Sequence, residues 1–381
     1  MTAIIPKVQT PPFLLRSYRA MNPIRRWLDK RLTTFTDDWV GKFWEASNTP
    51  FNKFGLKIFT SFRCGHSLWL VNMESEIFHV TGKSRENEKP FSTIFIGDKG
   101  SLRYLVFSLY GSNEKTVVPM GRCFYWNGPK VAIELSGQAD VIILEQSTGN
   151  RWKPDQGDWV FSPRRVRMVM DIGPGCDVGL IHSQLKARQH HNYQMVTKKG
   201  YFLEVSRKEE DFAYFYNRMF LPLIQNQHGD YANTGSLEYY QKMSETGSIL
   251  FSCLPDRGRV AGTIVLPRNR VLYGIINGLL EGDKELRKNG ALSSIYILTL
   301  EYAVKHHFSR IDIGEVAPLQ TNGLYLHKNQ WGFHAVESPW QTAEWLFWIP
   351  NQSQSALEWF FANPFLVDFA EWGGENLGKI Y

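Results

Sequence analysis

The stretch from Ser248 to Gly332 constrains this chain more than any other part of it. Two β-rich apolar runs, 248–254 and 260–266, flank Pro255, Asp256, Arg257 and Gly258, residues that favour a tight turn. Pro267, Arg268 and Asn269 then turn the chain into a third such run, 271–280. Ile295, Leu298, Thr299, Tyr302 and Ala303 recur at helical spacing behind Ser293 and Ser294, the expected cap. His306 and His307 close that helix, where a carbonyl-rich end accepts positive charge. A short strand, 310–314, follows. A strand, a helix and a strand joined this closely predict a right-handed parallel crossover. The fold class expected is α/β, with mixed twisted sheets flanked by helices.

A chain of 381 residues has room for two domains or one large one. Its 43% hydrophobic and 21% charged residues fit a folded protein rather than a disordered one. No apolar run reaches the roughly 18 residues that cross a bilayer, and the N-terminus lacks the charged-then-apolar pattern of a secretion signal. Cys64, Cys123, Cys176 and Cys253 form no CxxC pair. Reduced thiols in a cytoplasm fit them better than a disulfide framework or a zinc site, so no metal is expected. A net charge of +6 and a pI near 9.0 favour an anionic partner such as RNA, a phosphorylated co-substrate or anionic lipid.

The first half suggests the same order of elements. The runs 91–96 and 102–109 flank Gly97, Asp98, Lys99 and Gly100, a hairpin pattern. A strand-like stretch at 121–126, a short helix within 131–138 and a buried strand at 140–145 follow. An internal duplication is expected, with a stunted crossover helix and a closed site in the first copy. Residues 159–171 predict an extended link, and a long helix is expected from about 177 to 199. That helix turns basic at Lys186, Arg188, His190, His191, Lys198 and Lys199: either a solvated face or a rail for phosphates. A second helix carries Phe212, Phe215, Tyr216 and Met219. Near the C-terminus, 344–348 is expected to pair as a strand with 333–337, and Leu357, Trp359, Phe360 and Phe361 to form a short helix and lid. The expected division is a basic arm over 1–33 (Arg16, Arg19, Arg25, Arg26, Lys30 and Arg31), a degenerate domain over 34–165, an active domain over 166–350 and an aromatic tail over 351–381.

Several of these segments, taken in order, resemble FemAB-like proteins: 169–172 through Lys186 and Arg188, then 198–200, 212–216 and 227–229. Gly262, 311–314 and 328–332 continue the resemblance, which spans roughly residues 90–350. FemAB-like enzymes are tandem N-acetyltransferase-fold (GNAT) acyltransferases, many using aminoacyl-tRNA and others acyl-CoA. The resemblance implies two tandem GNAT-like domains, no bound cofactor, and aminoacyl-tRNA or acyl-CoA as co-substrate. It further implies a wedge between two splayed parallel strands whose unpaired backbone holds the acyl donor. Two departures stand out. The long coiled-coil insertion of some tRNA-using members is absent. Residues 287–292 are similar to an acetyltransferase pyrophosphate loop, but Leu292 stands where close phosphate approach needs a small residue.

Acyl transfer requires a positioned nucleophile, a stabilised oxyanion and removal of one proton. The chain has no Gly-x-Ser-x-Gly elbow and no clear Cys/His pair, so direct transfer is expected. Gly274, Asn277 and Gly278 lie in the strand expected to wall the wedge, and their backbone amides are the oxyanion candidates; alternatively these glycines relieve packing. Lys328 either holds donor phosphate or developing charge, or is a surface lysine beside a Trp331–Gly332 turn. Asp312 is expected to partner Lys328 or to cap a helix, and Glu315 to act as general base or to recognise the amine. Tyr273, Tyr325, His327 and Trp331 are the remaining acceptor-pocket candidates, with core packing open for each tyrosine. The expected acceptor is an amine of a peptide or small molecule. Two other functions remain open: an inactive module binding RNA or glycan, and an O-acyltransferase in polysaccharide synthesis. A monomer and a dimer are both compatible with the pattern.

Overall fold

The computed structural model describes residues 74–85, 88–147, 159–173, 175–179, 185, 187–228, 234–341, 343–364 and 366–367, together with 28, 31–32 and 378–379. Cys64, Lys186 and, Arg31 apart, the basic residues of the N-terminal arm lie outside them. Cys123, Cys176 and Cys253 are free thiols. Among the described residues no helix is long and apolar enough to cross a membrane.

In chain order the first part contributes β1 (Glu74–Ser84), β2 (Pro90–Gly97), α1 (Lys99–Leu109), β3 (Tyr110–Phe124), α2 (Gly128–Leu135), β4 (Val141–Ser147) and β5 (Val160–Pro163). The middle contributes β6 (Val166–Asp171), α3 (Ala187–Lys198), β7 (Phe202–Ser206), α4 (Glu209–Phe215), α5 (Leu221–His228), β8 (Ser248–Leu254), β9 (Gly258–Arg268) and β10 (Val271–Leu279). Then come α6 (Lys284–Lys288), α7 (Ala291–Lys305), β11 (Arg310–Val316), α8 (Gly323–Gln330), β12 (His334–Glu337), β13 (Ala343–Trp348) and α9 (Gln354–Ala362). The chain forms an α/β fold of two mixed sheets flanked by helices, ordered β3-β1-β2-β4-β13-β5 and β12-β6-β11-β10-β9-β8-β7. It divides into a unit of Met1–Val166, Ala317–Asn322 and Glu337–Tyr381, and a second of Arg167–Val316 and Gly323–Val336.

In the first unit the hairpin expected at 97–100 is a strand-to-helix junction. The Asp98 carboxylate accepts from the backbone N–H of Gly100 (2.8 Å) and of Ser101 (3.2 Å), capping α1. Leu102, Leu105, Val106 and Leu109, buried at helical spacing, supply the packed face. Asp98→Ala should cost about 1 kcal/mol in urea unfolding, the usual worth of such a cap. The hairpin is instead β1 with β2, and β3 pairs with the outer edge of β1. So α1, β3 and α2 all intervene between the parallel partners β2 and β4, unlike the order in the second unit. Those partners run in register from Thr93↔Val141 to Ile96↔Leu144. Beyond that, Glu145 fills the gap: its carboxylate takes the Asp98 N–H (2.9 Å) and the Ser101 hydroxyl (2.8 Å).

The strand at the C-terminal end also differs from expectation. β13 pairs with β4 and β5 of the first sheet, not with β12, and so takes 343–348 out of the second unit. A strand inside a sheet needs apolar side chains on both faces. Trp345 and Phe347 pack with Trp359 of α9 on one side, and Leu346 packs with Ile142 and Leu144 on the other. β12, half-exposed or exposed throughout, suits a sheet edge.

In the second unit β7, β8, β9 and β10 form an antiparallel meander. The expected link 159–171 is in fact two strands, β5 and β6, one in each sheet. α4, a π-turn over Tyr216–Phe220 and α5 cover the meander, burying Phe212, Phe215 and Met219 against Ile249, Phe251 and Ile264. α7 starts earlier than the serines suggested. Gly290, at φ +91°, is its cap, and Ser294 is buried inside it, donating to the Ala291 carbonyl (2.7 Å) and meeting the Ser252 hydroxyl (2.5 Å). The basic helix α3 begins at Ala187 rather than 177, with Lys198 and Lys199 exposed at its end and Lys199 Nζ bonded to Asn289 (2.6 Å). Arg188 lies on α3; its side chain is outside the described residues.

Candidate functional site

β10 pairs with β9 along its length, from Val271↔Arg268 to Leu279↔Ala261. The register slips between Gly274 and Ile276, leaving Ile275 without a partner on β9. On its other edge β10 meets β11 in parallel at three positions only: Val271↔Arg310, Leu272↔Ile311 and Tyr273↔Asp312. Past these pairs β10 continues to Leu279 and β11 to Val316, with no further pairing between them.

The separation has local causes. Gly314 sits at φ +78°, a conformation glycine adopts without penalty. Its N–H donates to Asp312 Oδ1 (2.9 Å) instead of reaching across to β10. The carbonyls of Ile313 and Gly314 accept from Lys328 Nζ, at 2.6 and 3.4 Å. Asp312, fully buried, is held by Arg167 through Nε (2.6 Å) and the second guanidinium nitrogen (2.9 Å). Side chains thus satisfy the β11 backbone where a neighbouring strand ordinarily would. The divergence opens a cavity of about 280 Å³. Gly274 to Asn277 wall one side and Ile313 to Glu315 the other; Tyr296 and Thr299 of α7 and Lys328 of α8 complete it.

The second unit joins an antiparallel meander, a crossover helix and a parallel pair that splays after three positions, as the sequence resemblance implied. No family model and no curated protein sequence matches the chain. Similar solved structures include FemX, at 12% identity and a TM-score of 0.40, over 71% of this chain and 84% of that one. L-PGS from Bacillus licheniformis is 12% identical with a TM-score of 0.33, over 74% and 87%. A GCN5-related N-acetyltransferase from Sphaerobacter thermophilus is 9% identical with a TM-score of 0.30, over 67% and 72%.

Lys328 is a buried charge on the wall of this wedge. Burial pulls its pKa down from the ordinary lysine value to about 8; Asp312 and Glu315 oppose the fall, and Arg167 adds to it. Burial pushes the Tyr296 phenol up to about 12, against a hydrogen bond with the Asn277 side chain. That phenol therefore stays neutral at physiological pH.

Four of the residues anticipated from sequence line the cavity: Gly274, Asn277, Glu315 and Lys328. Lys328 lies on α8 rather than in a loop and is only 6% exposed, so it is not a surface lysine. Asp312 caps no helix, and its ion-pair partner is Arg167 rather than Lys328. Glu315 is half-buried, with a carboxylate oxygen 3.9 Å from Arg167.

The others lie off the cavity. Gly278 faces the helical layer: a Cβ there would come within 2.7 Å of Met219 and 2.8 Å of Phe215, so this glycine serves packing. Tyr273 is buried beneath the Arg167 guanidinium, 6.0 Å from its ring centre. Trp331 is fully buried and stacks on Tyr296 at 5.1 Å, a core residue and not a substrate contact. Tyr325 and His327 are on α8 outside the lining, His327 edge-on to Tyr296. Sequence reasoning missed Arg167, Tyr296 and Thr299. Arg167 had a signal, a charge set between the apolar Val166 and Met168, while Thr299 was absorbed into the apolar helix face.

Proposed function

We propose that the second unit transfers an acyl or aminoacyl group from acyl-CoA or aminoacyl-tRNA directly to an amine of a small-molecule or peptide acceptor, forming an amide. The observation that carries this is a pair of parallel strands that part after three positions around a cavity with a buried, pKa-lowered lysine on its wall. Backbone N–H groups of the 274–277 segment supply donors to the carbonyl oxygen as it becomes an oxyanion. The amine nitrogen attacks the carbonyl carbon, the C–N bond forms, and the ester or thioester bond breaks.

Lys328 handles the proton. Two of the three non-carbon positions on its Nζ are engaged by the Ile313 and Gly314 carbonyls. With a pKa near 8 the third carries a lone pair in a useful fraction of molecules at neutral pH. That lone pair takes the proton from the attacking amine and returns it to the leaving alkoxide or thiolate. Glu315, at the cavity edge, orients the acceptor's neutral amine by accepting a hydrogen bond from it.

The test is a panel of charged tRNAs and acyl-CoAs offered with cellular amines, read by mass spectrometry. A product heavier by the acyl group and stable to mild base is expected. A base-labile product would transfer the assignment to hydroxyl acylation, and no product with either donor class would refute it.

A further inference from the structure

β10 carries two glycines, Gly274 and Gly278, and packing explains only the second. At Gly278 a Cβ would press into Met219 and Phe215. At Gly274 the nearest atoms a Cβ would meet are Ile313 Cγ2 at 3.4 Å, Ile313 Cα at 3.8 Å and the Asp312 carbonyl oxygen at 3.9 Å, all on β11. Those are ordinary contact distances. The backbone does not ask for glycine either, since Gly274 has no positive φ. A glycine inside a strand weakens it, so its place here needs another cause. Gly274 directly follows the last β10–β11 pair, Tyr273↔Asp312, and both it and Ile313 line the cavity. The side chain missing from Gly274 is therefore space at the narrow end of the wedge.

That space belongs to a small and largely apolar site. At about 280 Å³ the cavity sits just under the range of about 300 to 1,000 Å³ common for ligand sites. Much of its wall is Ile275, Ile276, Ile295, Leu300, Leu324 and Phe333. The polar side chains are engaged or closed off. Asn277 bonds to Tyr296, and the Thr263 hydroxyl donates to the Ile276 carbonyl (3.0 Å). Lys328 holds the Ile313 and Gly314 carbonyls, Glu315 lies 3.9 Å from Arg167, and the Thr299 hydroxyl oxygen is sealed from the cavity. We infer that Gly274 is a specificity-determining residue: by leaving out a side chain it makes room between β10 and β11 for a short aliphatic acyl chain. The inference rests on the cavity being the acyl site and adds the class of acyl group. An aliphatic chain there exchanges water for apolar contact, whereas a hydroxyl in its place finds the side-chain partners already taken.

The probes are the neutral primary amides from acetamide to hexanamide, titrated into the full chain and followed by ligand-observed NMR. Wild-type affinity should rise about fourfold per added methylene, the scale of one buried CH₂, as far as butanamide and no further. Butanamide should bind about tenfold better than its isostere 3-hydroxypropanamide. Gly274→Ala should end the series one carbon earlier without lowering the melting temperature, because its methyl fits at 3.4 Å. Ile313→Ala, which removes the opposing Cγ2, should end it one carbon later, and it decides the matter if Gly274→Ala does not fold. Binding of no amide, a series without a limit, a limit that stays put in the folded variants, or equal binding of the hydroxylated isostere would overturn the inference. Turnover is scored separately on donors bearing the same acyl chains. Equal turnover of short, long and hydroxylated chains would sink the selectivity and leave acyl transfer standing. The expected binding series with no turnover of any donor would do the reverse.

Discussion

Asp312→Ala should destabilise the second unit by about 3–5 kcal/mol, the cost of breaking a buried ion pair from one side. The substitution takes the bidentate acceptor from the Arg167 guanidinium, whose side chain is only 14% exposed, and removes the acceptor of the Gly314 N–H. It also removes the negative charge that holds the Lys328 pKa up, so Lys328 should titrate lower still. Urea unfolding measures the loss. Arg167→Ala combined with Asp312→Ala should cost less than the sum of the two, since both single variants break the same contact. Strict additivity would mean the bidentate contact contributes nothing of its own.

Lys328→Met should lower kcat by about 10²–10⁴-fold, the usual contribution of a positioned acid–base group. In the wild type kcat should rise with pH through about 8, as the neutral amine forms, and then level off. The variant should show no such limb. Stability carries an independent signature of the same group. Its pKa is about 8 when folded against 10.5 for the unperturbed side chain. Between those values the unfolded chain keeps a proton that the folded chain has released, so stability rises with pH across that window. Below about pH 8 both states are protonated and the burial penalty stands in full. Lys328→Met abolishes this rise. A variant that keeps both the rate and its pH limb would remove Lys328 from the proton transfer, and one that loses only the stability slope would leave it a structural clamp on β11.

The second sheet was largely legible because its signals are local. The runs 248–254, 260–266 and 271–280 alternate with turn residues, and the 3.6-residue spacing of Ile295, Leu298, Thr299 and Tyr302 marks the crossover helix; the strands and helix appear at those places. The first unit was less legible because Gly97, Asp98, Lys99 and Gly100 serve a turn or a helix cap equally well. An apolar run such as 102–109 satisfies a strand and a helix alike, and Leu102, Leu105, Val106 and Leu109 decide for the helix once a sheet lies beneath them. For 343–348 the apolar content was plain, but the choice between two sheets depended on which one offered apolar surface on both faces.

For the site, residue types were readable and their assignments were not. The chain by itself determined that a parallel crossover would form and that Gly274, Asn277, Glu315 and Lys328 would lie near its end, because short-range periodicity and turn chemistry dictate the order of elements. Only the tertiary structure decided where the β10–β11 ladder stops. That point is set by a competition for backbone hydrogen bonds among groups far apart in the chain, in which the Asp312 carboxylate and the Lys328 ammonium take the positions a strand would have occupied. Arg167 reaches Asp312 across 145 positions of sequence. No periodicity encodes that distance; packing β6, β11 and α8 into one unit brings the charges together, and burial then sets what they can do.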